Sequence, residues 1–196
     1  MRYYSDQQTI GGLAGHVLRR IIHISMCLYP WLYYYHGEHI YHYFRVSQKP
    51  FTVILVLLIV ALDIFRFKKN IVVFGQRRHE DHHLGSFAQA AIAIGLVLMF
   101  APSKAFGFPI IWSCAFVDPF LGELRRFYVP TGVIFLIGLL LVFIVWIICA
   151  GLFGTPWWWA LIMAPIIALL EKPNLQWIDD NALMQLGPLL IILFFQ

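Results

Sequence analysis

Long apolar runs separated by short polar stretches dominate the pattern of this chain. A transmembrane helix needs roughly 17 to 25 mostly apolar residues, and seven runs reach or approach that length. The predicted spans are residues 16–35, 50–66, 86–103, 105–122, 131–151, 155–171 and 182–196. Because these runs use most of the chain, the pattern predicts an all-α fold, a polytopic membrane helix bundle of about seven transmembrane helices. Residues 1–196 would then form a single integral membrane domain.

The composition agrees with a membrane protein. Only 12% of the 196 residues are charged and 61% are hydrophobic, whereas a soluble domain carries about 25% charged residues. The first fifteen residues lack the basic and apolar regions of a cleavable signal peptide. Each of the three cysteines lies in a predicted span, which argues against a disulfide framework.

Lysines and arginines are distributed unequally between the loops. With the loop between the second and third spans in the cytoplasm, eleven of them fall on the cytoplasmic side and three, Arg45, Lys49 and Lys104, on the outer side. Basic residues mark cytoplasmic loops, so we expect a cytoplasmic N-terminus. The net charge of +4 therefore reflects topology and does not indicate a nucleic-acid partner.

The charged residues gather in four short stretches, residues 19–23, 63–83, 118–126 and 171–181. The predicted topology places all four at the cytoplasmic face. Ionisable residues within membrane segments cost free energy and usually have a functional partner. We therefore expect the four stretches to bind a charged molecule together.

Two of the acids lie near the ends of predicted spans, where a carboxylate faces the negative end of the helix dipole. Asp63 follows an unbroken apolar run, and Arg66, three residues later, is a plausible structural partner. The sequence leaves a structural and a functional role for Asp63 equally open. Asp118 pairs less naturally with the arginines that follow it, because Pro119 is predicted to end the helix. A functional Asp118 is the favoured interpretation.

The stretch between the last two spans contains Glu171 and, eight to ten residues later, Asp179, Asp180 and Asn181. Carboxylate and amide oxygens are the ligands that Mg²⁺ prefers. An Asp or Asn also commonly caps the N-terminus of a helix, and the two roles are compatible.

The first span opens with Arg19-Arg20 and has His23 one turn deeper on roughly the same face. One interpretation of these arginines is that they serve only as topology signals. The other is phosphate binding, because arginine is the side chain best suited to bind phosphate by paired hydrogen bonds. Arginines and acids at one membrane face suit a magnesium–phosphate substrate. No Walker A or kinase-type glycine loop is present.

The order of these motifs resembles the CTP-dependent polyprenol kinases, which include dolichol kinases, phytol kinases and CTP-dependent diacylglycerol kinases. The resemblance covers roughly residues 16–190. The matching residues are Arg20 and His23, Asp63 and Arg66, Glu80 and Gly85, Asp118 and Gly122, Glu171, and Asp179, Asp180 and Asn181.

The resemblance implies transfer of the γ-phosphate of CTP to the hydroxyl of a membrane lipid alcohol at the cytoplasmic face. The lipid is a dolichol or other polyprenol, a phytol or a diacylglycerol, and Mg²⁺ is the expected cofactor. The implied roles are catalysis for His23, Asp118 and Asp180, magnesium binding for Asp118, Asp179 and Asp180, and nucleotide or phosphate contact for Arg20, Arg66, Gly122, Arg125, Arg126 and Asn181.

The segment after Asp118 departs from the family pattern. In the family a Gly-Arg segment leads to a Lys that is followed closely by Glu-Gly-Ser. Residues 122–132 keep Gly122 and two arginines but lack both the Lys and the Glu-Gly-Ser. The chain is therefore expected to be a divergent member, with the phosphate donor or the reaction itself open to change.

Two other functions remain as alternatives. His79, His82 and His83 have the spacing of a histidine box, which predicts a membrane di-iron hydroxylase because imidazole suits iron. A transporter or non-catalytic membrane protein would use the charges at span ends as gates or folding pairs. A transporter should place polar residues near the bilayer midplane, and the middles of spans 2, 5 and 6 are almost wholly apolar.

Overall fold

The structure is a computed structural model that describes residues 9–76, 84–172 and 178–195. These residues are mostly helical and none of them forms part of a β-strand, which confirms the all-α class. Glu80 and the three residues of the histidine box, His79, His82 and His83, lie outside the described residues.

The helices of the described part follow one another with short connections. In chain order they are α1 (Gly12–Ser25), α2 (Leu28–Trp31), α3 (Gly37–Phe44), α4 (Gln48–Lys68), α5 (Ser86–Phe100), α6 (Lys104–Trp112), α7 (Asp118–Arg126), α8 (Thr131–Phe153), α9 (Trp159–Leu170) and α10 (Asp180–Phe194). Two π-helical turns, Leu32–His36 and Ser113–Val117, join α2 to α3 and α6 to α7.

Three helical segments in the described residues are long and apolar enough to cross a membrane. They are Gln48–Lys68, Lys104–Arg126, which comprises α6, the π-helical turn and α7, and Thr131–Phe153. Helices α5, α9 and α10 are apolar but span only 10 to 17 residues. Predicted spans 2, 4 and 5 thus reach the length of a membrane crossing, and predicted spans 3, 6 and 7 are shorter helices than expected.

The first predicted span, residues 16–35, is not one continuous helix. Helix α1 ends at Ser25, and the chain turns at Met26 and Cys27 before α2 begins. Pro30 has no backbone N–H to bond the carbonyl of Met26, so the α-helical hydrogen-bond ladder cannot run through this point. The prediction of a single span here was wrong in this respect.

The segment Lys104–Arg126 is the centre of the bundle, and 72% of its apolar window is buried. Its inner face, which includes the fully buried Ile110, Cys114 and Leu121, packs in one core with Trp146 of α8 and Met163 of α9. The indole Nε1 of Trp146 donates to Ser113 Oγ at 3.1 Å, which satisfies two polar groups inside this core. The central segment is therefore held on several sides, and this fixes the positions of the residues at its end.

Pro119 does not end a helix, contrary to the sequence-based expectation. It occupies the first turn of α7 and directly follows the π-helical turn Ser113–Val117. The first turn of a helix tolerates proline because its N–H groups need no intrahelical acceptor. After the π-helical turn, α-helical hydrogen bonding begins again at Asp118, and the helix continues to Arg126.

Helix α4 connects two chemically different ends of the molecule. With 21 residues it is about 30 Å long. Near its start, a cavity of about 470 Å³ is lined by side chains that include Tyr34, Glu38 and Lys49. Near its other end lie Asp63 and Arg66, which belong to the candidate site.

Candidate functional site

Polar side chains and two glycines from five helices and their flanking turns meet at the end of the bundle where α4 and α7 end and α5 and α10 begin. We call this set the polar network. Its members are His16, Arg20, His23, Asp63, Arg66, Gly85, Ser86, Cys114, Asp118, Gly122, Glu123, Arg126, Asp179, Asp180, Asn181 and Gln185.

Asp118 is buried, with a residue exposure of 6%, and two basic side chains of α1 lie close to it. Its Oδ2 lies 3.8 Å from Arg20 Nη1 and 3.7 Å from His23 Nε2. These distances exceed a hydrogen bond but allow strong ionic attraction in a buried setting. His23 Nε2 also lies 3.1 Å from the carbonyl oxygen of Cys114. The motif residues Arg20, His23 and Asp118 are thus brought together, although nearly a hundred residues separate them.

Gly122 lies one turn after Asp118, and the Arg20 guanidinium rests against its backbone. A Cβ atom at Gly122 would be 2.2 Å from Arg20 Nη2. No atom can occupy that position unless the guanidinium moves. The absence of a side chain at Gly122 therefore leaves the space that the Arg20 guanidinium occupies.

Glu123 binds three basic side chains, and sequence reasoning did not identify it. Its Oε1 accepts a hydrogen bond from Arg20 Nε at 2.9 Å and lies 2.7 Å from His16 Nε2. Its Oε2 accepts from Arg126 Nη1 at 2.8 Å. Two sequence signals pointed here: Glu123 and Arg126 are three residues apart, and His16 lies four residues before Arg20 on one helix face.

The acidic stretch before α10 forms a compact set of contacts. Asp179 Oδ2 accepts from Asn181 Nδ2 at 2.5 Å, and Asp179 Oδ1 accepts from Ser86 Oγ at 3.1 Å. Its own N–H donates to Gln89 Oε1 at 2.8 Å. Asp179 occupies the position before the first turn of α10, but its carboxylate makes no capping bond to the helix backbone. The side chain of Asp179 joins α10 to α5 instead.

Cys114 links the Asp118 region to the start of α10. Its Sγ lies 3.5 Å from Asn181 Oδ1, 3.8 Å from His23 Nε2 and 3.6 Å from Gln185 Nε2. The carboxylates of Asp118, Asp179 and Asp180 all lie close enough to act on this thiol electrostatically. The three acids predicted to bind magnesium therefore lie within electrostatic range of one buried side chain.

Asp63 and Arg66 form the pair that the sequence suggested as a structural possibility. Arg66 Nε donates to Asp63 Oδ1 at 2.7 Å, and Asp63 Oδ2 accepts from the backbone N–H of Gly85 at 2.7 Å. Both side chains are mostly buried, with exposures of 11% and 13%. The pair joins the end of α4 to the start of α5, and Ser86 continues the contacts to Asp179.

Arg125 points away from the contacts of Arg126 and forms an ion pair with Glu171 at the end of α9. The Glu171 side chain is only 4% exposed, whereas that of Arg125 is 38% exposed. This pair attaches α7 to α9 and gives Glu171 a structural partner. Of the two arginines after Glu123, Arg126 is thus the one directed toward Arg20 and His16.

The described residues contain no group of three His, Cys, Asp or Glu side chains close enough together to hold a metal ion. Both carboxylate oxygens of Asp179 already accept hydrogen bonds. Mg²⁺ is usually bound by one or two carboxylates together with substrate phosphates and water. The acids around Cys114 have the donor type for such a shared site but do not form a metal cage of their own.

Comparison of the chain with protein-family models, with curated proteins and with solved structures gives no match.

Proposed function

We propose that the protein is a multi-pass membrane enzyme, a divergent CTP-dependent kinase of lipid alcohols. The observation that carries this proposal is the polar network itself. Arg20 and His23 of the first predicted motif each lie within 4 Å of Asp118 of the fourth. Cys114 links the first motif to the last, and Gly85 and Ser86 together link the second motif to the last. Motifs that are dispersed over the sequence but adjacent in space are expected of a single site.

The membrane part of the proposal extends the three helices that are long enough to cross a bilayer. Only 11% of the apolar window of α4 is buried, so its leucine-rich surface faces outward, as expected for a helix in contact with lipid. The shorter α5, α9 and α10 would complete a bundle of about seven spans. The N-terminus and the polar network would then lie at the cytoplasmic face.

In the proposed reaction, the oxygen of the lipid hydroxyl forms a bond to the γ-phosphorus of CTP. The bond from that phosphorus to the bridging oxygen breaks, and CDP leaves. The hydroxyl proton passes to His23 or to one of the adjacent acids, of which Asp118 is 3.7 Å from His23 Nε2. Arg20 and Arg126 bind phosphate oxygens and stabilise the charge that spreads over them in the transition state.

Asp118, Asp179 and Asp180 are the carboxylates that would hold Mg²⁺ with the nucleotide. When bound, the ion would neutralise charge on the phosphates. Asn181 is fixed by Asp179 at 2.5 Å and faces Cys114, so it would position rather than replace these carboxylates. We assign Arg66 a structural role, because its guanidinium is buried against Asp63.

One observation favours a non-catalytic or transport-type membrane protein as the second candidate. Many charges of the polar network are paired within it, as in the contacts of Glu123 with Arg20 and Arg126. Such pairing is also what a purely structural network requires. A functional assay is therefore needed to separate the two.

The assay is phosphate transfer by the purified protein from γ-³²P-labelled CTP, with labelled ATP in parallel, to a pool of polyprenol, phytol and diacylglycerol with Mg²⁺. We expect a labelled lipid that depends on CTP and whose chromatographic mobility identifies the acceptor. The absence of labelled lipid with either nucleotide, from protein shown to be folded, would contradict the proposal.

A further inference from the structure

Resting on the proposed phosphate site, we propose that Glu123 is an internal anion that occupies this site in the free protein. An incoming phosphate group must displace the Glu123 carboxylate to reach Arg20 and Arg126. Glu123 thereby sets the affinity of the site for phosphate.

Glu123 lies at the centre of a group of basic side chains. Three side chains from two helices, His16, Arg20 and Arg126, each place a nitrogen within 2.7 to 2.9 Å of one carboxylate. His16 Nε2 lies between two groups, 2.7 Å from Glu123 Oε1 and 3.0 Å from Arg126 Nη1, and its tautomer determines which of the two contacts is a hydrogen bond. Convergent guanidinium and imidazole groups are the usual surroundings of a bound phosphate. Here the anion between these groups is the carboxylate of Glu123, a residue of the protein itself.

The exposure and the charge of Glu123 also differ from those of the basic side chains around it. The Glu123 side chain is 35% exposed, whereas the side chains of His16 and Arg20 are 13% and 17% exposed. Glu123 is thus more exposed than each of the three basic side chains it contacts, since the Arg126 side chain is 27% exposed. Glu123 neutralises one of the two arginine charges, and the loss of its charge would leave the site more positive by one unit.

The Arg20 guanidinium contacts two acids. Its Nε donates to Glu123, and its Nη1 faces Asp118 at 3.8 Å. Displacement of Glu123 would break the hydrogen bonds that Arg20 Nε and Arg126 Nη1 make to its carboxylate, and phosphate oxygens could take the place of that acceptor, while Arg126 Nη1 keeps its contact with His16 Nε2. The same displacement leaves the Asp118 contact in place, so the bound phosphate would lie beside the acid predicted to act in catalysis.

The test compares the binding of inorganic pyrophosphate to the purified full-length protein and to Glu123→Gln by isothermal titration calorimetry, without nucleotide or lipid. Glutamine keeps the size of the side chain and removes its charge. We expect Glu123→Gln to bind pyrophosphate on the order of tenfold more tightly, since a competing charge within hydrogen-bond distance is removed. Glu38→Gln is the matched control, because Glu38 is exposed and lines the cavity near the other end of α4.

Binding that is unchanged or weaker in Glu123→Gln, with measurable binding by the wild-type protein, would overturn the inference and leave the phosphate site intact. Equal tightening in Glu38→Gln would also overturn it, because the effect would then come from net charge alone. No binding by the wild-type protein or by Glu123→Gln would overturn both the inference and the proposed role of the arginines. If Glu123→Gln does not fold, Glu123→Asp serves instead: its shorter side chain cannot bridge Arg20 and Arg126, and tightening by a smaller factor is expected.

Discussion

At the scale of single residues, the position of Arg20 decides how the site is arranged. Its guanidinium contacts Glu123, faces Asp118 and rests against Gly122. The two acids attract the guanidinium, and the glycine leaves the space that it fills. Arg20 therefore has little freedom to move without losing one of these contacts, which suits a group that must meet a phosphate in a fixed place.

Gly122→Ala tests this arrangement. A methyl group 2.2 Å from Arg20 Nη2 would force the guanidinium away from Asp118 and Glu123. We expect loss of most phosphate-transfer activity, by on the order of 100-fold, because small displacements of a positioning group are costly. Gly132→Ala is the control, since an added Cβ there meets no atom within 4 Å. Equal activity of the two variants would contradict the role of Gly122.

Sequence reasoning identified part of this residue-scale arrangement. Arg20, His23 and Asp118 were recognisable because charged groups are rare in apolar spans. Glu123 and His16 were missed, because their helical spacing to Arg126 and Arg20 indicates only local pairs. The convergence of α1 on α7 is a long-range contact of about a hundred residues, and no local pattern encodes it.

At the scale of elements, short polar links join the ends of neighbouring helices. Asp63 pairs with Arg66 on α4 and accepts the N–H of Gly85, directly before α5. Ser86 then contacts Asp179, directly before α10. These links fix the relative positions of α4, α5 and α10 at the end of the bundle that carries the site.

Arg66→Leu tests the structural role of this link. Removal of the guanidinium leaves the buried Asp63 carboxylate without its cationic partner, and we expect a loss of about 3 kcal/mol in the free energy of unfolding. In the double variant Asp63→Asn with Arg66→Leu, the charge is gone and the amide oxygen still accepts from Gly85. Most of the stability and the phosphate-transfer activity should return. Thermal unfolding in detergent measures the stability of the two variants, and the phosphate-transfer assay measures their activity. A double variant as unstable as the single one would argue against this account.

Element boundaries also show where local rules fail. Proline usually ends a helix, and at Pro30 the chain does turn just before it. At Pro119 the same rule gave the wrong expectation, since the preceding π-helical turn accommodates the missing N–H. The packing of the central segment against α8 and α9 stabilises that turn, and a sequence pattern does not carry this information.

At the scale of the whole molecule, each end of α4 carries an exposed basic side chain, and the residues between them are mostly apolar. Lys49 lies at its start and Lys68 at its end, both exposed. The 21 residues of this helix span about 30 Å, the thickness of the hydrocarbon core of a bilayer.

The apolar runs and their order were predictable from hydropathy, because each run must avoid water. The shorter lengths of α5, α9 and α10 were not, because helix ends depend on tertiary contacts.

Labelling of Lys49→Cys and Lys68→Cys in intact cells tests the proposed orientation. A membrane-impermeant maleimide should label Lys49→Cys from outside, and it should label Lys68→Cys only after the membrane is permeabilised. The wild-type protein supplies the background, since Cys114 and Cys149 are buried and Cys27 is half-buried. Labelling of both variants in intact cells would contradict a site at the cytoplasmic face.

The most direct test of the central claim is phosphate transfer from labelled CTP to lipid alcohol by Asp118→Asn, beside the wild-type protein and Glu38→Gln. Asp118 is buried between Arg20 and His23, so the account predicts that Asp118→Asn folds but loses turnover, while Glu38→Gln retains it. Full turnover by Asp118→Asn would contradict the assignment of the polar network as the catalytic site.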